Sequence, residues 1–439
     1  MKSSKIGIKK WMAFIVAGLV GQLAWAIENN YLNLYVFDCS GNYDFIPLMT
    51  ALSAVAATIT TLFVGALSDR IGKRKIFISL GYILWGISII AFAFLDPKSN
   101  LTIVANSGFM AGVMIVIMDC IMTFFGSTAN DACFNASISD HTDETNRGKV
   151  DSVLSVLPLF ALIAVTVVGG FLGISNTEGK PVHWDYFFYI FGGLTLLIGV
   201  LCIFIYPKDE IEPNKDQYLK NIIYGFRPKV VKENTNLYLV LLAFMIFNIA
   251  IQVFMPYFMI YIKRVLGIQG DSFTITLGVV LVVASIITVV VGVFMDKIGK
   301  SKVIFPALVV AIIGAVIMFF IKDQIGVIIG GIILMAGYLV STAILASKTR
   351  DYIPDDKMGV FQGVRMIFVV MLPMVTGPYI GQAVSYINGH MYTDETYGIS
   401  SIEPNHFIFL FAGIVMLFVF IPLILLTKRE KNNEPTASE

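Results

Sequence analysis

The chain has 439 residues, of which 57% are hydrophobic and 14% charged, with a mean hydropathy of +0.80 and a formal net charge of +1. Soluble domains average about 25% charged residues, so composition excludes a soluble protein, and the near-neutral balance argues against nucleic acid as a partner. The four cysteines (Cys39, Cys120, Cys133, Cys202) are scattered, and no CxxC, HExxH or Cys/His cluster suggests a metal or a cofactor.

Apolar runs close to the ~20 residues that a spanning helix needs predict twelve spans, at about 11–37, 45–67, 76–95, 104–138, 150–174, 186–207, 237–262, 273–294, 303–321, 325–347, 359–387 and 406–427. The fold class is therefore an all-α integral membrane protein. Of the 31 Lys and Arg, only Lys98, Lys180, Lys263, Arg264 and Lys322 fall in outer loops, and Arg365 lies within a span. The remainder sit in inner segments, which predicts cytoplasmic N- and C-termini in a multi-pass plasma-membrane protein. The start, with its lysines, apolar run and small residues Ala24 and Ala26, also fits a cleaved signal peptide. Cleavage would remove one member of the repeated pair described below.

The first span is polar in its outer half, where WAIENNYLNLYVF (25–37) carries Glu28, Asn29, Asn30 and Asn33. At 100° per residue, Gln22, Trp25, Ala26, Asn29 and Asn33 share one face, with Glu28, Tyr31 and Tyr35 on the adjoining one. An ionisable side chain at mid-span costs roughly 2.5–3.5 kcal/mol on insertion scales, so such residues face a bundle interior or a wet cavity. The second span carries no acid before Asp69. In the fourth, Asp119, Thr123, Ser127 and Asn130 form a stripe with Asp131 beside it. Thr123 and Ser127 could equally bond back to their own helix. The C-terminal spans carry Asn248, Gln252, Tyr257, Tyr261 and Arg365, the last a gate charge or anion ligand. Pro256, Pro373 and Pro378 interrupt the seventh and eleventh spans. The four histidines (His141, His183, His390, His406) are assigned no role.

Two halves repeat. GALSDRIGKRK (65–75) matches GVFMDKIGKSK (292–302) at Gly65/Gly292, Asp69/Asp296, Ile71/Ile298, Gly72/Gly299, Lys73/Lys300 and Lys75/Lys302. SDHTDETNRG (139–148) echoes RDYIPDDKMG (350–359), with Asp140 and Asp351 in corresponding places. AIENNYLNLYVF (26–37) set against AIQVFMPYFMIYI (250–262) pairs Glu28 with Gln252. This is a parallel internal repeat, and it predicts residues 1–207 as an N-terminal six-helix bundle, 208–236 as a cytoplasmic linker, 237–428 as a C-terminal six-helix bundle and 429–439 as a tail. The acid, glycine and basic turn of the first motif suggest a latch, with Asp69, Arg70, Arg147, Asp296 and Arg365 as gate residues.

GxLxDrxGkrk between the second and third spans, with a weaker copy between the eighth and ninth, resembles the major facilitator superfamily. That resemblance implies two pseudo-symmetric six-helix bundles and secondary transport. NDACFNASISDHTDETNRGK (130–149) is similar to the glycoside–pentoside–hexuronide cation symporters, with Asp131 and Arg147 in the places of that family's Asp and Arg. The first span resembles theirs and that of the related sucrose carriers. Those symporters also carry paired Asp residues on the second helix, which this chain lacks.

The buried acids Glu28, Asp119 and Asp131 are the candidates for coupling to H+ or Na+, because desolvation lets a carboxyl group exchange a proton near neutrality. Gln22, Trp25, Asn29, Asn33, Thr123, Asn248, Gln252 and Tyr257 are the candidate substrate residues. Aromatic faces stack on C–H groups and amides satisfy hydroxyls, which suits a sugar ring. The expected activity is alternating-access symport of a sugar or glycoside by a monomer in membrane lipid. The alternatives are proton-coupled efflux of amphiphilic molecules and, more remotely, a membrane sensor or a membrane enzyme. No catalytic constellation sits at membrane depth.

Overall fold

The computed structural model describes residues 7–99, 102–104, 107–142, 150, 153–154, 156–176, 182–209, 224–353, 358–395 and 397–433. In lipid each backbone donor and acceptor must be satisfied within its own segment, which leaves helices as the form for these runs. Eleven helices among the described residues are long and apolar enough to span: Ile8–Ser40, Phe45–Ile71, Arg74–Phe94, Gly108–Asp140, Trp184–Ile205, Thr235–Val265, Asp271–Met295, Lys300–Phe320, Gln324–Tyr352, Gly363–Ser385 and Phe407–Asn432. The shorter apolar helix Leu157–Phe171 takes the fifth place, completing a twelve-helix membrane protein. The fourth span starts at Gly108 and is 33 residues long.

The helices are not uniform. Stretches of π-helix interrupt the first span at Ile27–Tyr31, the fourth at Ser127–Phe134, the end of the seventh at Tyr261–Val265 and the eleventh at Ile367–Met371. Such widened turns concentrate at functional places in helices. In the first span the cause is visible. Asn29 Nδ2 donates to Trp25 O at 2.9 Å and Asn30 Nδ2 to Ala26 O at 3.0 Å, so side-chain amides take carbonyls that a regular helix keeps for its own N–H groups.

The chain divides into two compact units. The first comprises Met1–Leu219, Ile262–Thr274 and Met391–Glu403; the second comprises Lys220–Tyr261, Ile275–His390 and Pro404–Glu439. Within the first, Tyr35, Phe92, Trp184, Phe187 and Phe188 form a buried aromatic core. Within the second, Phe254, Phe258, Tyr261 and Phe409 do the same. Residues 224–236, inside the stretch expected to be a linker, pack on the second unit: the Tyr238 hydroxyl bonds Gly225 O, and Pro228–Glu233 is a short helix. Large apolar side chains such as Phe63, Leu67, Leu80, Leu84 and Ile87 point outward, as a lipid-facing surface requires.

A small hairpin lies between the eleventh and twelfth spans. Strand β1 (Met391–Thr393) pairs antiparallel with β2 (Ser400–Ile402), Tyr392 opposite Ser401.

Candidate functional site

The polar cluster of the first unit is built by three spans. Glu28, in the π turn of the first span, is 6% exposed. Its Oε1 accepts from Ser53 Oγ of the second span at 2.8 Å and from Thr123 Oγ1 of the fourth at 2.9 Å, and the two hydroxyls lie 3.0 Å apart. Asp119, 1% exposed, sits one helical turn from Thr123 and beside Ser53. The charged groups that face Glu28 are themselves acids, Asp119 and Asp131. Glu28 Oε2 and Asp119 Oδ1 are buried without a hydrogen-bond partner.

Asp131 lies about two turns beyond Thr123 on the fourth span and belongs to a second group. Ser127 Oγ donates to its Oδ2 at 3.1 Å and Asn130 Nδ2 to its Oδ1 at 3.3 Å. Asn130 Oδ1 is 3.2 Å from the Tyr82 hydroxyl, which donates to Ala17 O at 2.8 Å. Gly21 makes this approach of the first and fourth spans feasible, because a Cβ there would lie 2.5 Å from Asn130 Oδ1. Trp25 leans on Trp85 at 5.0 Å, and Trp85 stacks on Tyr82 at 5.8 Å.

The stripe drawn for a straight first span divides at the π turn. Gln22 and Trp25 are half-buried and Asn29 is exposed, whereas Ala26 and Asn33 are buried. Asn33 Nδ2 donates to Asn29 O at 3.2 Å. Tyr31 and Tyr35 turn into the bundle, where Tyr31 packs on Phe187 at 5.2 Å and Tyr35 donates to Phe92 O at 2.6 Å.

In the second unit, Asn248 and Tyr257 brace the eleventh span. Asn248 Nδ2 donates to Val369 O, inside the π turn, at 2.7 Å, and the Tyr257 hydroxyl to Pro378 O at 2.8 Å. Gln252 lies between them on the same helix, half-buried. Arg365 is half-buried at the end of the helical stretch Met358–Met366.

The latch motif forms an ion cluster in each unit. Gly72 and Gly299, matched in the repeat, both take left-handed backbone (φ 69° and 99°) and turn the chain into the next span. Asp69 Oδ1 lies 2.8 Å from Arg74 Nη2, and Asp140 Oδ2 lies 2.7 Å from Arg74 Nε. Asp209, just past the sixth span, accepts from the backbone N–H groups of Arg74 and Lys75 at 3.1 Å each and so caps the third span. In the second unit, Lys300 pairs with Asp351 at 2.6 Å and Lys348 with Glu430 at 2.7 Å. Glu430, near the end of the twelfth span, also accepts from Ser301 Oγ at 3.0 Å and from the Tyr352 hydroxyl.

Arg70, the cation expected in the latch, is exposed; the buried Arg74 fills that place. Arg147 lies outside the described residues, as does the side chain of Asp296. Arg74, Asp209, Lys348 and Glu430 escape the sequence reading because the repeat sets Arg74 against Ser301. The two terminal acids also sit just beyond the motifs. Their shared position, at the end of the last span of each half, is the signal that could find them.

Twelve apolar helices in two compact units, each with an ion cluster at the repeated motif, make a polytopic membrane protein. The family description of the Major Facilitator Superfamily matches residues 11–378. The chain belongs to that superfamily. Its fold is similar to that of a bacterial homologue of the human lysosomal transporter Spinster in an inward-facing, unoccupied conformation (TM-score 0.71, 12% identity, 97% of this chain and 98% of that one). It is also similar to the nucleoside transporter NupG (0.69, 11%, 95% and 99%) and to the xylose transporter XylE from E. coli (0.67, 13%, 95% and 99%). No curated protein sequence matches the chain.

Proposed function

We propose that this transporter works by alternating access as a cation-coupled symporter of a sugar or glycoside. In this reading it acts as a monomer in the plasma membrane, with both termini in the cytoplasm. The observation that carries the coupling is the buried group of Glu28, Asp119, Ser53 and Thr123. Glu28 accepts from both hydroxyls, Asp119 lies beside Ser53, and an oxygen on each acid lacks a donor. A proton or a sodium ion taken up there neutralises the cluster, and its release makes the cluster costly again. That difference is what couples an ion gradient to a conformational change.

The sugar assignment draws on Gln22, Trp25 and Asn29, which stay accessible on the first span and combine an indole face with two amides. It also draws on the similarity in fold to a D-xylose–proton symporter (TM-score 0.68, 16% identity, 94% of this chain and 98% of that one). Asp131 and Asn33 support this site within the first unit, whereas Asn248, Gln252 and Tyr257 are candidate substrate residues of the second unit. Asp69, Arg74, Lys300 and Asp351 form the cytoplasmic latches.

Uptake into proteoliposomes tests the proposal. Radiolabelled pentoses, hexoses and glycosides are expected to accumulate under an inward proton or sodium gradient, and Glu28→Gln is expected to abolish that dependence. Extrusion of lipophilic cations with no sugar uptake would overturn the symporter reading in favour of efflux.

A further inference from the structure

The segments Ile262–Thr274 and Met391–Glu403 are continuous in sequence with spans of the second unit, yet both are part of the first. The contacts that hold them there are polar and specific. Arg264 Nη2 lies 2.9 Å from Asp38 Oδ1, with both side chains partly open to water at 18% and 15% exposure. The guanidinium carbon stands 4.6 Å over the ring of Phe37. Phe37 stacks on Tyr43 at 4.0 Å, and Tyr392 of β1 closes the group at 5.4 Å from Phe37 and 5.9 Å from Tyr43. Tyr43 N–H donates to Ser401 Oγ of β2 at 3.2 Å. On the other flank, Lys263 Nζ donates to Ile174 O and Gly270 N–H to Ser175 O, each at 2.5 Å.

We propose that these two segments are a releasable clamp on the first unit, with Asp38 and Arg264 as the positioning pair that sets how often it opens. The second span runs from beside Tyr43 to Asp69, so the clamp and the Asp69–Arg74 cluster occupy opposite ends of the first unit. Transport requires one end to open while the other stays shut, so each end needs a closure that can be undone. An apolar seal would expose greasy surface on parting. A partly hydrated ion pair backed by a cation–π contact and a few hydrogen bonds has water as a ready replacement partner. Tyr43 and Tyr392 hold the Phe37 ring in place under the guanidinium, which makes the closure specific.

The clamp rests on the alternating-access reading, but its test does not depend on substrate or coupling ion. Hydrogen exchange on the full-length protein in nanodiscs reads the opening of 262–274 and 391–403 directly. Asp38→Asn and Arg264→Gln are each expected to speed exchange in both segments by about tenfold, leaving the third and sixth spans unchanged. The charge swap Asp38→Arg with Arg264→Asp is expected to restore most of the protection. A second readout is labelling of Ser401→Cys, in a background freed of the four native cysteines, by a membrane-impermeant maleimide, which should quicken in the same variants. Unchanged exchange and labelling in both single variants would overturn the proposal. So would loosening spread over the whole chain and not rescued by the swap.

Discussion

Ser53, on the second span, places its hydroxyl 2.8 Å from Glu28 on the first, and through that contact the π turn of the first span is tied to its neighbours. A buried carboxylate that loses one of its donors bears the full desolvation penalty for it, about 1–3 kcal/mol. Ser53→Ala and Thr123→Val are therefore each expected to lower the thermal midpoint in detergent. Glu28→Gln removes the charge while keeping the shape, and should unfold no earlier than wild type. A Ser53→Ala protein as stable as wild type, with unaltered uptake, would show that the hydroxyl is idle.

Arg74 holds two carboxylates with one guanidinium, whereas Arg70, four residues earlier, lies exposed. Breaking a fully buried pair by removing one partner costs about 3–5 kcal/mol. Here the guanidinium is buried but Asp69 and Asp140 are 34% and 22% exposed, so screening reduces that figure. A surface substitution stays within about 0.5 kcal/mol. Arg74→Gln is expected to destabilise strongly and Arg70→Gln hardly at all. Arg74→Lys should recover only part of the loss, because an ammonium cannot bridge Asp69 and Asp140 with a planar fork. Equal midpoints for the Arg70 and Arg74 variants would contradict the arrangement.

These two clusters mark how far the sequence can be read. The spans and the acids inside them follow from hydropathy, because lipid imposes a long uniform signal on each helix. The Asp140/Asp351 echo was legible as well, and both residues carry ion pairs. What eludes a reading at fixed periodicity is the local widening at Ile27–Tyr31. One π turn offsets everything after it, so Asn33 is buried while Asn29 stays exposed. The partners Ser53 and Glu430 eluded it for another reason. A lone serine or a terminal acid carries no pattern until the chain has folded.

Gly21 faces Asn130 of the fourth span and Tyr82 of the third at the second polar group. Alanine normally favours a helix over glycine by about 0.8–1.0 kcal/mol, but its Cβ would lie 2.5 Å from Asn130 Oδ1 and 2.8 Å from the Tyr82 hydroxyl. Overpacking of that kind costs typically 1–3 kcal/mol. Gly21→Ala is thus expected to lower the midpoint, while Gly193→Ala, with nothing within 4 Å of its Cβ position, should hold or raise it. Thermal unfolding of the two variants side by side decides the matter, and a Gly21→Ala protein as stable as Gly193→Ala would mean that the spans stand further apart.

Asn248 offers a last, independent check on the π turns. A widened turn leaves carbonyls poorly served by the helix itself, and Val369 O, inside Ile367–Met371, receives the Asn248 amide at 2.7 Å. Asn248→Leu keeps the bulk but strands that carbonyl, at a cost of about 1–3 kcal/mol. The eleventh span can avoid the penalty by reverting to regular α-helix, which would rotate every residue on one side of the turn by about 100° relative to the other. Arg365 precedes the turn and Pro373 follows it, so the reversion would change their relative facing. The expected result is a lower midpoint together with altered cysteine accessibility across 363–371 in a scanning series. If accessibility stays as in wild type and only the midpoint falls, the eleventh span holds its π turn without help. Asn248 then stabilises the turn without shaping it.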